Sequence, residues 1–274
     1  MWVYLYQSWT EKALKNAYIG EYVAPDYLCF TANTAGSTVK LRKFWTPNAV
    51  SLETSTDLST WSDYTIWNTI TLSSIGDKVY WRNKSETDTW FSKDNNNLYR
   101  FEMDWSISAS WDINYLLNKN STTTLSSYCF TSLFYSCPLT TPPSLPATTL
   151  ADYCYNQMFR SCTALTTVPS LPATTLADDC YSQMFFDCTA LTVIPSLPAT
   201  ALTTRCYSYM FYNCSNIKLS MNKTRSYQTA YRIPTTWTWT ALTSSLTYMY
   251  YGTWWTFTSD PSVNTTYYTS NTIV

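Results

Sequence analysis

Apolar residues in the middle of this chain return with a period of 26 residues. Leu145–Ser170 reads LPATTLADYCYNQMFRSCTALTTVPS, and Leu171–Ser196 reads LPATTLADDCYSQMFFDCTALTVIPS. Leu197–Ser220 opens LPATALTTRCYSYMFYNCSNIKLS and then drifts, while STTTLSSYCFTSLFYSCPLTTPPS, just upstream, is a poorer fourth copy. A period of this length belongs to stacked repeat architectures. In the best copy the apolar positions are Leu150, Cys154, Met158, Phe159, Cys162, Leu165 and Val168. The first four fit i, i+4, i+8 and i+9, which predicts a short helix. Thr149 with Asp152, and Thr175 with Asp178, resemble capping boxes at its start. The shorter spacing after Cys162 predicts a strand of three or four residues, stopped at Pro169 because proline cannot donate to a ladder. No unit can bury its stripe alone. Stacking would place Leu150 on Leu176 on Leu202, and Phe159 on Phe185 on Phe211.

The flanks follow a different rule. From Tyr27 to Asp104 the segments LCFTA, TVKLRKF, AVSLETS, SDYTIW, TITLSS, KVYWRN and LYRFEMDW alternate with period two, separated by turn-forming clusters. Residues 25–104 therefore read as an antiparallel β-sandwich. Its Trp61, Trp67, Trp81 and Trp90 fit either sandwich core or a platform for stacking sugars. Residues 105–120, with an apolar turn at Ile113–Leu117, read as a cap on the open end of the repeat solenoid at 121–220. Residues 221–274 return to aromatic, β-like text, with Trp237, Trp239, Trp254 and Trp255, and read as a C-terminal cap with a final strand pair and tail. Residues 1–24 are a lead segment in which Tyr18–Gly20 resembles a short tag near the start of phage tail and fibre proteins. The expected fold class is β-rich α/β: sandwich, short solenoid of about four repeats of 25–26 residues, β-rich cap.

Composition narrows the function. The net charge is −1 and only 13% of residues are charged, so nucleic acid is not an expected partner. No run of 18 apolar residues exists, which argues against membrane insertion. The start lacks the basic n-region and cleavage site of a secretory signal, so either the chain is a fragment or it reaches the outside by another route, such as release with a phage particle. There is no histidine, which removes Ser-His-Asp, Cys-His and His-based metal chemistry. Phosphate-binding glycine loops and EF-hand loops are absent from the sequence. A two-carboxylate glycosidase needs only Asp and Glu, and Asp152, Asp178, Asp179 and Asp187 are its candidates. Asp152 and Asp178 recur at equivalent positions and read better as helix-start residues. The expectation is a non-enzyme without cofactor or metal.

Eight of the nine cysteines fall in pairs eight apart: Cys129/Cys137, Cys154/Cys162, Cys180/Cys188 and Cys206/Cys214. Every one sits where a buried apolar residue is expected, so they read as ladders of small hydrophobes. Disulfides in an oxidising compartment are the alternative, and the absence of short C-x2-C pairs argues against zinc.

The motif C-Y-x-x-M-F-x-x-C-x-x-L-x-x-(V/I)-P resembles the BspA-type leucine-rich repeats of bacterial surface proteins, in the form common in gut bacteria and their phages. That resemblance implies a leucine-rich-repeat solenoid in which Cys137, Cys162, Cys188 and Cys214 take the family's ladder position. The family often has glycine just before that cysteine. Here stand Ser136, Ser161, Asp187 and Asn213, of which Ser would be strained at φ > 0. The resemblance implies an extracellular recognition protein, on a virion tail or a bacterial surface, contacting a surface glycan or protein. It would be a homo-oligomer if virion-borne. The alternatives are a bacterial adhesin and a structural spacer. The binding candidates are Tyr155, Tyr181 and Tyr207, about 100° from a buried cysteine on a helix and hence at its rim, with the strand residues Thr140, Thr166 and Thr192.

Overall fold

The computed structural model describes residues 26–121, 123–232, 244–255, 260–262 and 265–274. The lead segment with Tyr18–Gly20, and Trp237 and Trp239, lie outside the described residues, as do the side chains of Trp254 and Trp255.

The N-terminal strands are β1 (Leu28–Ala32), β2 (Ser37–Lys43), β3 (Leu52–Ser55), β4 (Ser62–Asp63), β5 (Thr69–Leu72), β6 (Lys78–Asn83), β7 (Tyr99–Asp104) and β8 (Ile107–Ser110). A 3-10 turn follows at Ile113–Leu116, where the Asp112 carboxylate accepts the Asn114 amide. Farther on come β9 (Leu139–Thr141), β10 (Val193–Ile194), β11 (Lys218–Ser220), β12 (Thr229–Arg232), β13 (Trp254–Trp255), β14 (Thr266–Thr269) and β15 (Thr272–Ile273). They form four sheets, ordered β4-β3-β6-β1-β8-β9, β5-β2-β7, β12-β14-β11-β13 and β10-β15.

The alternation read from the sequence builds the first two sheets. Leu28, Phe30 and Ala32 of β1 face inward, and Val39 and Leu41 of β2 meet them from the other side. Phe30 lies edge-on to Phe101 of β7 at 4.9 Å, and Trp81 to the same ring at 5.1 Å. The outer face of β1 is covered as well: Cys29 packs with Tyr27, Tyr80 and Tyr115 in a small second cluster. The four tryptophans do not share one environment. Trp81 is core, Trp61 lies half-buried under the Arg82 guanidinium, and Trp67 and Trp90 are exposed.

The repeats overturn the α/β expectation. No α-helix occurs among the described residues. The segment read as a helix is a ribbon of successive β-turns. In the second unit the amides of Cys154, Asn156, Met158, Arg160 and Cys162 each return to the carbonyl three residues back. The amides between them, Tyr153, Tyr155, Gln157, Phe159 and Ser161, donate to Asp178, Cys180, Ser182, Met184 and Phe186 of the next unit. Half of each ribbon's amides are thus satisfied only by a neighbour. Every fourth residue is left-handed, as at Tyr153, Gln157 and Ser161 with φ of 58°, 55° and 60°. The position before the second cysteine belongs to this set: Ser136, Ser161, Asp187 and Asn213 all have φ of 58–60°. A four-residue period explains why a helix was the wrong choice. On an α-helix the i+12 position has turned about 120° away from i, yet Leu150, Cys154, Met158 and Cys162 are all buried.

Asp152 and Asp178 cap across units, not within them. The Asp152 carboxylate accepts the Asp178 amide at 3.1 Å, and Asp178 accepts the Thr204 amide at 2.9 Å. Among the expected repeat strands only short pieces are regular, in β9, β10 and β11.

One hydrophobic core runs from Leu28 to Tyr267. Strand β8, expected within a cap, pairs antiparallel with β1 and parallel with β9, so it joins the sheets to the stack. Phe101 of β7 donates its amide to Leu133 of the first ribbon and stacks on Phe134 at 5.4 Å. At the other end, Ser244–Thr253 is a fifth ribbon. Its carbonyls at Ser245, Thr247, Met249 and Tyr251 accept amides from Tyr207, Tyr209, Phe211 and Asn213. Gly252 stands at the left-handed position before the lost second cysteine, with φ of 72°. A Cβ there would run into the Asn213 side chain.

Candidate functional site

Two aromatic ladders fill the stack. Phe101, Phe134, Phe159, Phe185, Phe211 and Tyr250 overlie one another with centroids 5.4–5.6 Å apart and planes within 10°. Phe130, Tyr155, Tyr181 and Tyr207 form the second, at 5.8–6.0 Å. Such separations between near-parallel rings mean offset stacking, the arrangement the ring quadrupoles favour.

This corrects the rim placement of the tyrosine candidates. Tyr155, Tyr181 and Tyr207 are only 0%, 1% and 1% exposed. Neighbouring residues on a helix diverge by about 100°, but in the turn ribbon Cys154 and Tyr155 point inward as a pair. Burial pushes all three phenols well above their ordinary pKa. None is available to a ligand. The threonines do form an outward row. Thr166 and Thr192 are exposed and Thr140 is half-buried. The Thr166 hydroxyl donates to the Thr140 carbonyl at 3.2 Å, and Thr140 meets Asn33 and Ser108 at 2.9 Å.

The cysteines are all buried and unpaired. Cys137, Cys162, Cys188 and Cys214 donate their thiols to carbonyls of the preceding layer, Phe101, Phe134, Phe159 and Phe185, at 3.0–3.1 Å. Burial pushes the Cys154 and Cys162 thiols up to about 12, so they are neither nucleophiles nor ready ligands. The carboxylate candidates are likewise taken up by the stack. Asp179 holds Arg205 through two oxygens, and Asp187 accepts Asn213. Among the described residues no cluster of His, Cys, Asp and Glu could hold a metal ion.

A surface feature that sequence reasoning missed runs the length of the molecule. It begins at Trp67, with the Arg42 guanidinium 4.8 Å over its ring and 5.2 Å from Phe44. Arg100 lies 5.1 Å from Phe44 and 4.5 Å from Tyr135. Arg160, on the next ribbon, lies 6.0 Å from Tyr135 and 4.1 Å from Phe186. Phe186 then stacks on Tyr212 at 4.5 Å, and Tyr212 on Tyr251 at 5.0 Å. Rings and guanidiniums alternate, then rings alone continue. At the far end Tyr209 and exposed Tyr248 close a four-tyrosine patch with Tyr212 and Tyr251. The signal was present two residues before each second cysteine, where Tyr135, Arg160, Phe186 and Tyr212 stand. It shows no conserved residue type, so it was not visible as part of the repeat.

Compared with known protein families, curated proteins and solved structures, the chain shows no match.

Proposed function

We propose that the protein is a non-enzymatic recognition protein that presents the side of its stack to a ligand on a cell surface. The observation that carries this reading is the strip from Trp67 to Tyr251, which repeats a flat ring or a guanidinium at each layer. Rings give low-entropy stacking faces for sugars, and a regular row suits a polymer held by many weak contacts. The exposed hydroxyls of Thr166 and Thr192 add hydrogen-bonding groups at the same layer spacing. With the resemblance of its repeat motif to surface proteins of gut bacteria and their phages, this supports a tail-fibre or receptor-binding role toward a host-surface glycan or protein. A bacterial adhesin would use the same surface.

The test is attachment of the intact protein to bacterial cells and to their isolated surface polysaccharide. Phe186→Ala with Tyr212→Ala should weaken attachment at least tenfold, with circular dichroism unchanged. Unchanged attachment by the folded double variant overturns the reading.

A further inference from the structure

The strip passes a cleft of about 390 Å³ where the sheet β5-β2-β7 meets the first ribbon. Thr38, Lys40, Arg100, Tyr135 and Ser136 are among the residues that line it. Its volume falls within the range of small-molecule sites, ~300–1,000 Å³. Two carboxylates, Glu102 and Asp104, line it beside the two cations. Glu102 already pairs with Lys40 at 3.0 Å and with Arg42. Burial opposes ionisation of Glu102, but the bonds from Arg42 and Lys40 outweigh it and hold its carboxyl below the usual range. Asp104 accepts the Thr38 hydroxyl at 2.9 Å.

Arg100 is the cation left over. It is half-buried against Phe44 and Tyr135, and its Nε is buried without a hydrogen-bond partner among the described residues. No carboxylate of the described residues lies within ion-pair distance of it. Arg160, one ribbon on, repeats the pattern: its Nε is buried without a partner, and its terminal nitrogen reaches only the neutral Gln183. A buried cationic donor without an acceptor is costly. A guanidinium fork held flat by rings is also preorganised for a carboxylate, which it binds through two parallel hydrogen bonds.

Building on the recognition function proposed above, we infer that this cleft binds an acidic glycan, with a sugar carboxylate on Arg100, its ring against Tyr135, and the next acidic residue of the chain on Arg160. Both guanidiniums then gain the carboxylate partner the protein itself does not supply, and the polymer runs along the stack.

The experiment measures binding of a uronic-acid hexasaccharide and of the same hexasaccharide with its carboxyls reduced to alcohols, by calorimetry at low and at 0.5 M salt. The uronate oligomer should bind at least tenfold more tightly than the reduced one, and added salt should weaken it. Arg100→Gln should cost about tenfold (~1.4 kcal/mol), and Arg100→Lys should recover only part of that. Arg160→Gln should weaken the hexasaccharide and leave binding of a single uronic acid unaffected, which guards against a misfolded Arg100 variant. Equal binding of both oligomers, or full binding by Arg100→Gln, overturns the acidic-glycan assignment and leaves glycan recognition standing. Binding of neither, from a protein that still attaches to cells through its strip, overturns the assignment too. Absence of all attachment removes both.

Discussion

The N-terminal sheets and the ribbon stack bury the same kinds of residue by different means. In the sheets, alternation sends every second side chain inward, and each strand finds its hydrogen-bond partner along a conventional ladder, as β2 does with β7 over Thr38–Lys43. In the stack, side chains turn inward in pairs every four residues, and half the amides bond forward to the next layer. A sheet strand can be exchanged for another of the same pattern. A ribbon is incomplete without its neighbours on both sides. Yet the two regions share one core, because Phe101 belongs to a strand and also begins the main ring ladder.

The comparison breaks most readily at high pH. All eight stack thiols are raised by burial above their ordinary value of 9.0, and Tyr155, Tyr181 and Tyr207 lie well above 10.0. A group whose pKa is raised on folding stabilises below its unfolded pKa and loses that contribution as pH rises toward the folded one. Every stack thiol acts in the same sense, so their contributions are lost together as pH rises above 9.0. The expected outcome is cooperative unfolding as pH rises above 9.0, followed by tyrosinate absorbance and circular dichroism. A protein still folded at pH 11 would show that the stack is not packed on its thiols.

Ring truncation is the next largest effect. Phe159→Ala in the stack should cost about 3–5 kcal/mol. Phe101→Ala in the sheet should cost as much, since it occupies the same ladder. Urea titration measures both. A small loss at Phe101 would separate the two regions. A smaller change tests the pairwise inward geometry. The Tyr155 hydroxyl is buried without a hydrogen-bond partner among the described residues, whereas Phe130 fills the equivalent place without one. Tyr155→Phe should stabilise by about 1 kcal/mol and leave ligand attachment unchanged. The smallest effect concerns the left-handed positions. Ser161 at φ 60° is strained by about 1–2 kcal/mol, so Ser161→Gly should gain about 0.5 kcal/mol after glycine's entropic cost. The readout is a rise of one or two degrees in melting temperature, and a fall would contradict it.

Much of this was legible in the chain. The period-two segments from LCFTA to LYRFEMDW contain strands, SDYTIW only at Ser62–Asp63, because their alternation and their turns are local properties. The stacking of Phe159 on Phe185 on Phe211 followed from the repeat alone. The ribbon did not, because i, i+4, i+8 fits both a helix and a four-residue turn repeat over so short a run. The left-handed demand at Ser161 and Asp187 was visible only through the glycine of the repeats that the motif resembles. Ser244–Thr253 went unread as a ribbon because its spacing from the fourth is longer and its cysteines are gone, though Met249, Tyr250 and Gly252 keep the pattern. The aromatic strip spans nonadjacent layers and two sequence patterns, so only the folded chain assembles it.

A single core across sheets and stack is the central claim, and the cysteines report on it directly. Cys29 is the only thiol of the sheets, and the other eight lie in the stack. Pulsed alkylation across a urea series, located by mass spectrometry, reads both regions in one experiment. The account predicts that Cys29 and the stack cysteines become labelled at one common urea midpoint. Separate midpoints, with the stack thiols still protected after Cys29 reacts or the reverse, would contradict it.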